Sequence, residues 1–523
     1  MNYNLALPFY RNSERHPESI AVSLAGRAVT YSELRKFAQP IAAWLRRTTG
    51  GDGARVGILA SRSMETFGGI LAACWAGGTY VPLNPKLPED RLVQSLEQID
   101  LHALIVDCAS MTLLSERVLS KCPAHILTGS SDAGECHIEG NRVIETLSGL
   151  PAFDANDGPV DVPADRAAYI EFTSGTTGIP KGVTIPAGAV AHFLEVMHAR
   201  YEIGPTDRIA GVAETTFDIS VFDMFVTWSC GAALCVVPAT QVMAPLECVQ
   251  RNSVSVIFTV PSVAVCMNRM KLLAPGSMPN VRYSLFSGEP LPVSAALAWQ
   301  KAAPNSILDN LYGPTEATVV CTGRRFTGAA DATPKRGVVA IGTAFPGMKV
   351  AIIDPDLQFV AGEQQGEIVI SGPQLSSGYF RDPQQNAARF PLLAGERWYR
   401  TGDLGYRDGS GAFHHLGRID NQVKVRGMRV ELEEIEAHLR EIYGTDSVAA
   451  VAWPVEHGSA AGIVAFIAGE ACGSDSEQKT LLKGRLPGYM VPGAIHHIDS
   501  LPLNANGKVN RKDLVALLDG TRA

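Results

Sequence analysis

Apolar and polar positions follow two rhythms along most of the chain. Short apolar runs bounded by Gly, Pro and polar clusters predict buried strands: GARVGILA (53–60), LHALIVD (101–107), AAYIEF (167–172), VSVIFT (254–259) and VRYSLFS (281–287). Segments with helical spacing separate them, so an α/β body is expected. After about residue 340 the texture changes. KVAIID (349–354), GEIVISG (366–372) and WYRTGDLGYRDG (398–409) read as β-rich hairpins with Gly and Asp turns. A further unit follows GRIDNQVKVRG. Leu432, Ile435, Leu439 and Ile442 recur at helical spacing, two strands (SVAAVAWPV and GIVAFIAG) come next, and a Pro/Gly-rich tail ends in NANGKVNRKDL. This outlines a compact α+β domain of roughly 100 residues, a usual domain size. The boundary is placed near Asp420, giving a core of residues 1–419 and a small domain of 420–523.

At 523 residues the chain exceeds one ordinary core, in keeping with that division. Its 53 acidic and 45 basic side chains give a formal charge of -8, and no Lys/Arg run of five occurs, so a nucleic-acid partner is not expected. The N-terminus lacks a basic segment followed by an apolar core, which argues against a signal peptide. No uninterrupted apolar run of about 18 residues predicts a membrane span. The ten cysteines are scattered with no C-x-x-C pair, so reduced thiols in a cytoplasmic protein are expected, without zinc site or disulfide framework.

The stretch YIEFTSGTTGIPKGV (169–183) carries the first candidate chemistry: a strand that stops at a loop of hydroxyls and glycines. It is not a Walker-type loop, because Pro180 precedes Lys181 where that pattern needs Gly, and Gly182 follows. Proline also lacks the N–H that would face an anion. The loop is nonetheless suited to phosphate. Thr173, Ser174, Thr176 and Thr177 bring hydroxyls, Gly175, Gly178 and Gly182 permit close backbone approach, and Lys181 adds a mobile charge. HHLGRID (414–420) begins like a condensation-domain HHxxxDG signature, but Asn421 follows the Asp and the match is coincidental.

TSGTTGIPKGV resembles the phosphate-loop signature of the adenylate-forming superfamily: acyl-CoA synthetases, luciferases and the adenylation domains of nonribosomal peptide synthesis. Seven further motifs stand in the family's order: AGGTYVPLNP (76–85), FDIS (217–220), LYGPTEAT (311–318), GEIVISG (366–372), YRTGDL (399–404), GRIDNQVKVRGMRVE (417–431) and NGKVNR (506–511). The resemblance implies a large body of two α/β sheets plus a β-rich subdomain, with a small mobile α+β domain behind it. It also implies ATP and Mg²⁺, and attack of a carboxylate on the α-phosphorus to give an acyl adenylate and pyrophosphate. Such chemistry rests on cations and oriented dipoles.

By the same resemblance the Thr173–Lys181 loop grips the β and γ phosphates, Thr315 touches the α-phosphate and Glu316 is the Mg²⁺ ligand. Tyr312 would face the adenine with Asn310 at its edge and Gly313 beside it. Asp403 and Arg418 would hold the ribose. His415 stands where relatives often carry a ribose-packing aromatic, so stacking there is in doubt. Lys508, in NGKVNR, would be the catalytic lysine of the first half-reaction. Asp420 would be the hinge that moves Lys508 out and the QVKVRG segment in, opening a channel for a thiol.

Asp218 matches the carboxylate that pairs with the substrate amine in amino-acid adenylation domains; Asp223, five residues on, does not match the motif. The family's remaining pocket positions fall on Ile219, Phe222, Thr259, Leu285, Ser287, Gly288, Leu311, Val319 and Val320. Apart from Asp218 and Lys508 this set holds no charge, so a charged substrate side chain would lack a partner and a small neutral amino acid is expected. A β-amino acid or D-alanine is an alternative, as is an acyl- or aryl-CoA ligase using free coenzyme A. An inactive nucleotide-binding relative is disfavoured by Lys181, Glu316, Asp403 and Lys508 standing together. No carrier segment or condensation domain is evident, so a free-standing ligase is expected, delivering its aminoacyl group to the phosphopantetheine thiol of a separate carrier protein.

Overall fold

A computed structural model describes residues 2–50, 53–129, 137–139, 142–150, 157–173, 180–456, 459–468, 475–503 and 509–520. Two nine-stranded, mostly parallel sheets dominate the described residues. In the first, Ile20–Leu24, Ala233–Val236, Arg208–Gly211, Val256–Thr259, Tyr283–Phe286 and Ile307–Tyr312 run parallel, with antiparallel strands at both edges. The second is centred on Arg55–Leu59, Thr79–Leu83, Ala103–Val106 and Ala167–Thr173.

Strand periodicity explains how these sheets are packed. Val256 and Phe258 face the large core between the sheets, while Ile257 faces a second cluster on the far side with Phe286 and Trp299. The strands are buried on both faces, which is why they read as continuous apolar runs. Between the sheets lie helices Tyr31–Thr49, Met64–Trp75 and Ala187–Arg200. The first of these starts at a capping box, with Thr30 accepting from the Glu33 N–H and Glu33 accepting in return.

Lys349–Ile353, Gly366–Ser371, Tyr399–Arg407 and Phe413–Arg418 form the expected antiparallel sheet. Two further cores draw only on residues from Val423 onward. They flank a sheet of Val448–Ala452, Ile463–Ala468 and Ala494–Ile498, with helix Leu432–Tyr443 on one face. The expected α/β fold, a large body with a smaller C-terminal α+β unit, is thus present. Among the described residues no helix is long and apolar enough to cross a membrane, no group of three or more His, Cys, Asp or Glu is placed to hold a metal, and the described cysteines are free thiols.

The C-terminal unit rests on the body through buried polar contacts. Arg91 pairs with Glu434, both 2% exposed, and its Nε donates to the Arg485 carbonyl at 2.9 Å. Glu289 accepts from the Gly427 N–H at 2.5 Å and from the Ser459 hydroxyl at 2.7 Å. Gly427 has φ +84°, and an added Cβ would sit 2.7 Å from Val260, so glycine is what lets this turn approach the body.

Candidate active site

A cavity of about 330 Å³ lies where the C-terminal ends of first-sheet strands meet the antiparallel sheet and the C-terminal unit. Asp403 anchors one end. It is buried and accepts from the Tyr312 hydroxyl at 2.6 Å and Arg418 Nη1 at 2.9 Å, with His415 Nε2 at 3.3 Å. Burial opposes its charge, but Arg418, His415 and Tyr312 outweigh it and hold the carboxyl well below the usual carboxylate range. Arg418 in turn grips Asp420 through Nε at 2.8 Å and Nη2 at 2.6 Å. The His415 and Tyr312 rings are tilted by 41° with centroids 6.2 Å apart. His415 therefore joins the site as a polar neighbour of Asp403.

Asn310 lies beside Tyr312 on the cavity wall. Its Nδ2 donates to the Val339 and Ala340 carbonyls, while Oδ1 is buried with no hydrogen-bond partner among the described residues. An orphaned acceptor next to an aromatic face fits the edge of an adenine, whose exocyclic amine is a donor.

Asp218 stands in the same cavity, 5% exposed, at the head of helix Ile219–Val221, which continues as a π-helical turn over Phe222–Val226. The Thr315 hydroxyl donates to its Oδ2 at 2.8 Å. In this arrangement Thr315, expected at the α-phosphate, serves the carboxylate. Burial pushes the Asp218 carboxyl up to about 6, against the pull of Thr315 and Lys424. Pairing with an ammonium needs the ionised form. For an amino-acid substrate, as the sequence motifs lead one to expect, KM should therefore rise as pH falls through about 6, by about tenfold per unit below it. Pyrophosphate exchange from pH 8 to pH 5 reads this directly, and Asp218→Asn should flatten the profile.

The pocket positions divide. Ile219, Ser287, Gly288, Leu311 and Val319 line the cavity with Asp218, and Gly313 lines it beside Tyr312. Phe222, Thr259, Leu285 and Val320 do not; they are buried behind the wall, and Phe222 packs edge-on against Phe258 at 5.2 Å. Thr318 and Val319 hold φ of +56° and +66°, unusual for non-glycine residues and most of all for β-branched ones. Gln374 maintains them: its Nε2 donates to the Ala317, Thr318 and Val320 carbonyls, and its carbonyl accepts from the Thr318 hydroxyl at 2.7 Å.

Glu316 is fully buried. It accepts from the Tyr379 hydroxyl at 2.8 Å and pairs with Arg429 Nη1 at 3.0 Å and 3.2 Å. Burial alone would raise its carboxyl; Arg429 and Tyr379 bring it below its ordinary value. As a single carboxylate it suits Mg²⁺, which takes one or two carboxylates plus phosphate oxygens, but here the guanidinium engages it. Lys181 begins strand Lys181–Pro186, with Nζ 5.7 Å from the Tyr379 ring centroid, and burial lowers its pKa. Thr173 lines the cavity. Ser174, Gly175, Thr176, Thr177, Gly178 and Lys508 lie outside the described residues.

The hairpin Gln422–Val425 with Met428–Glu431 brings Gln422, Lys424 and Arg429 to the cavity. Lys424 makes no ion pair within 4.0 Å among the described residues. Burial and Arg429 depress its pKa, while Asp218 and Asp403 support its charge. The sequence motifs pointed to this segment but not to Lys424. They also passed over Gln374 and over Glu171, a buried carboxylate on the cavity wall. Its only local signal was a charge inside the apolar run Tyr169–Phe172.

Glu289, itself on the cavity wall, fixes the hairpin turn, so Glu289→Ala should loosen this arrangement. On the activity that the sequence motifs lead one to expect, aminoacyl transfer should fall about tenfold with pyrophosphate exchange nearly unchanged, from losing the two hydrogen bonds that cross to the C-terminal unit. Single-turnover transfer to a carrier protein measures it.

Known proteins share this organisation. The AMP-binding enzyme family matches residues 9–380. An L-proline--[L-prolyl-carrier protein] ligase of Pseudomonas fluorescens is 32% identical over 97% of both chains. Tyrocidine synthase 3 of Brevibacillus parabrevis is 31% identical over 98% of this chain, which spans only 8% of that much longer protein. The crystal structure of the Vibrio cholerae adenylation domain AlmE, in complex with glycyl-adenosine-5'-phosphate, superimposes with a TM-score of 0.89 at 28% identity, covering 99% of this chain and 98% of that one. A cavity lined by both Asp403 and Asp218 accompanies these likenesses: the chain belongs to the AMP-binding enzyme family, as an adenylation domain of the nonribosomal-peptide-synthetase type.

Proposed function

We propose that this enzyme activates a small neutral amino acid with ATP, forming an aminoacyl adenylate and pyrophosphate, and passes the aminoacyl group to the phosphopantetheine thiol of a separate carrier protein. The observation that carries this reading is Asp218, a buried carboxylate on the cavity wall that makes no ion pair within 4.0 Å among the described residues, so that a substrate ammonium can take that place. The glycyl adenylate named for AlmE supports a small substrate, and the name of the proline ligase supports a carrier as acceptor.

In this reading Asp403 and Arg418 orient the ribose, Tyr312 and Asn310 take the adenine, and the Thr173–Lys181 loop receives the outer phosphates. Glu316 is the residue to hold Mg²⁺, which when bound would neutralise phosphate charge. Lys508 stabilises charge at the carboxylate and α-phosphate in the first step. Turning about Asp420 then presents the QVKVRG hairpin, with Lys424 positioned to meet the negative charge of the adenylate as the thiol attacks. The presence of Lys424 in the cavity supports assigning the observed arrangement to this second step.

Amino-acid-dependent ATP–pyrophosphate exchange tests the proposal, using α-amino acids of both hands, β-amino acids and the deaminated analogue of each. Exchange with a small amino acid and none with its deaminated analogue is expected. A β-amino acid or D-alanine as best substrate would select that alternative. Equal exchange with amine-free acids would overturn the reading in favour of an acyl- or aryl-CoA ligase.

A further inference from the structure

Strand Ala167–Thr173 alternates its side chains between two environments. Ile170 joins the outer core of the second sheet, whereas Tyr169 faces the large inter-sheet core, stacked on Tyr80 at 5.3 Å. Period-two geometry puts Glu171 on the face of Tyr169, which here opens into the cavity. Glu171 is 4% exposed, and among the described residues its carboxyl accepts from a backbone N–H but forms no ion pair. The backbone N–H of Asp218 is the group that faces its carboxyl, and Asp218 is its strongest charged neighbour. A buried carboxylate without a cation is costly to keep inside a sheet, and nothing in the packing of this strand calls for one.

We propose that Glu171 is a second anionic anchor of the acid-substrate site, so that the amino group of the substrate is held between Glu171 and Asp218. The inference rests on the amino-acid reading above and deepens it. An ammonium has three N–H donors and Asp218 can satisfy only part of them, one of its oxygens already accepting from Thr315. Glu171 offers a further acceptor from the neighbouring strand, reached from the same cavity. Burial, with Asp218 beside it, raises the Glu171 pKa in the empty site, as expected of an acid awaiting a cation. Discrimination against amine-free acids then comes from leaving two buried carboxylates unmatched rather than one.

The protein with Mg²⁺ and ATP is assayed by pyrophosphate exchange with glycine, alanine, β-alanine, 2,3-diaminopropionate, acetate and propionate. Wild type is compared with Glu171→Gln, Glu171→Asp, Asp218→Asn and the Glu171→Gln/Asp218→Asn double variant. Glu171→Gln should raise the amino-acid KM about tenfold or more while leaving the KM for ATP unchanged. Glu171→Asp should recover part of the loss. Asp218→Asn should keep a residual preference for amines that the double variant lacks. An unchanged amino-acid KM in Glu171→Gln overturns the proposal, as does an equal loss of ATP affinity, which would make Glu171 a support of the whole site. Wild-type preference for a diamino acid over every monoamine, abolished in Glu171→Gln, would overturn the shared-ammonium geometry. Equal wild-type activity on acetate or propionate would instead mark failure of the underlying amino-acid reading, whatever the variants do.

Discussion

Asp218→Ala will raise the amino-acid KM roughly 10²–10³-fold and leave the KM for ATP near its wild-type value. Removing one partner of a buried charge pair costs ~3–5 kcal/mol, because the other charge stays desolvated without its counter-ion. The ammonium of the bound amino acid is that other charge. In the proposed function adenosine is held by other residues of the cavity, Asp403, Arg418 and Tyr312, so its recognition should survive. Thr315 loses its acceptor, which makes a modest fall in kcat part of the expected result. Pyrophosphate exchange with both substrates varied separates the two KM values. A parallel loss in both would assign Asp218 to the framework of the cavity instead.

Lys508→Ala should reduce pyrophosphate exchange on the order of a thousandfold, the ~3–4 kcal/mol typical of losing one preorganised donor at a developing charge. Transfer to a carrier from chemically prepared aminoacyl adenylate should be nearly unaffected, since in the proposed cycle Lys508 has left the cavity by then. Lys424→Ala should show the reverse pattern. If both variants lose the same half-reaction, the proposed exchange of the two lysines about Asp420 is wrong.

The strands around the site were legible because burial on both faces writes itself as unbroken apolar runs, as in Val256–Thr259 and Tyr283–Phe286. The nucleotide residues were legible only as motifs. Tyr312 and Asp403 are 91 residues apart, and nothing local in either announces the 2.6 Å bond between them. Which expected pocket positions reach the cavity was not legible at all: Phe222 and Leu285 stand at such positions, yet they are buried and do not line it. Contacts such as Glu289 to Gly427 depend on how the C-terminal unit is seated, which no local pattern encodes. Glu171 was visible as a misplaced charge, but its meaning required knowing which face of the strand opens into the cavity.

The pairing of Arg429 with Glu316 carries a consequence for the order of events. One carboxylate has two claimants, a guanidinium from the C-terminal hairpin and, in the proposed cycle, the divalent ion that accompanies ATP. They cannot be seated together, since each would hold the other's charge a few ångströms away in a buried setting. On the proposed function, the hairpin would dock once the metal and its pyrophosphate have gone, and a fresh metal–ATP would enter once the hairpin withdraws. Glu316 would then act as a turnstile, admitting one cation at a time and keeping activation and delivery from overlapping.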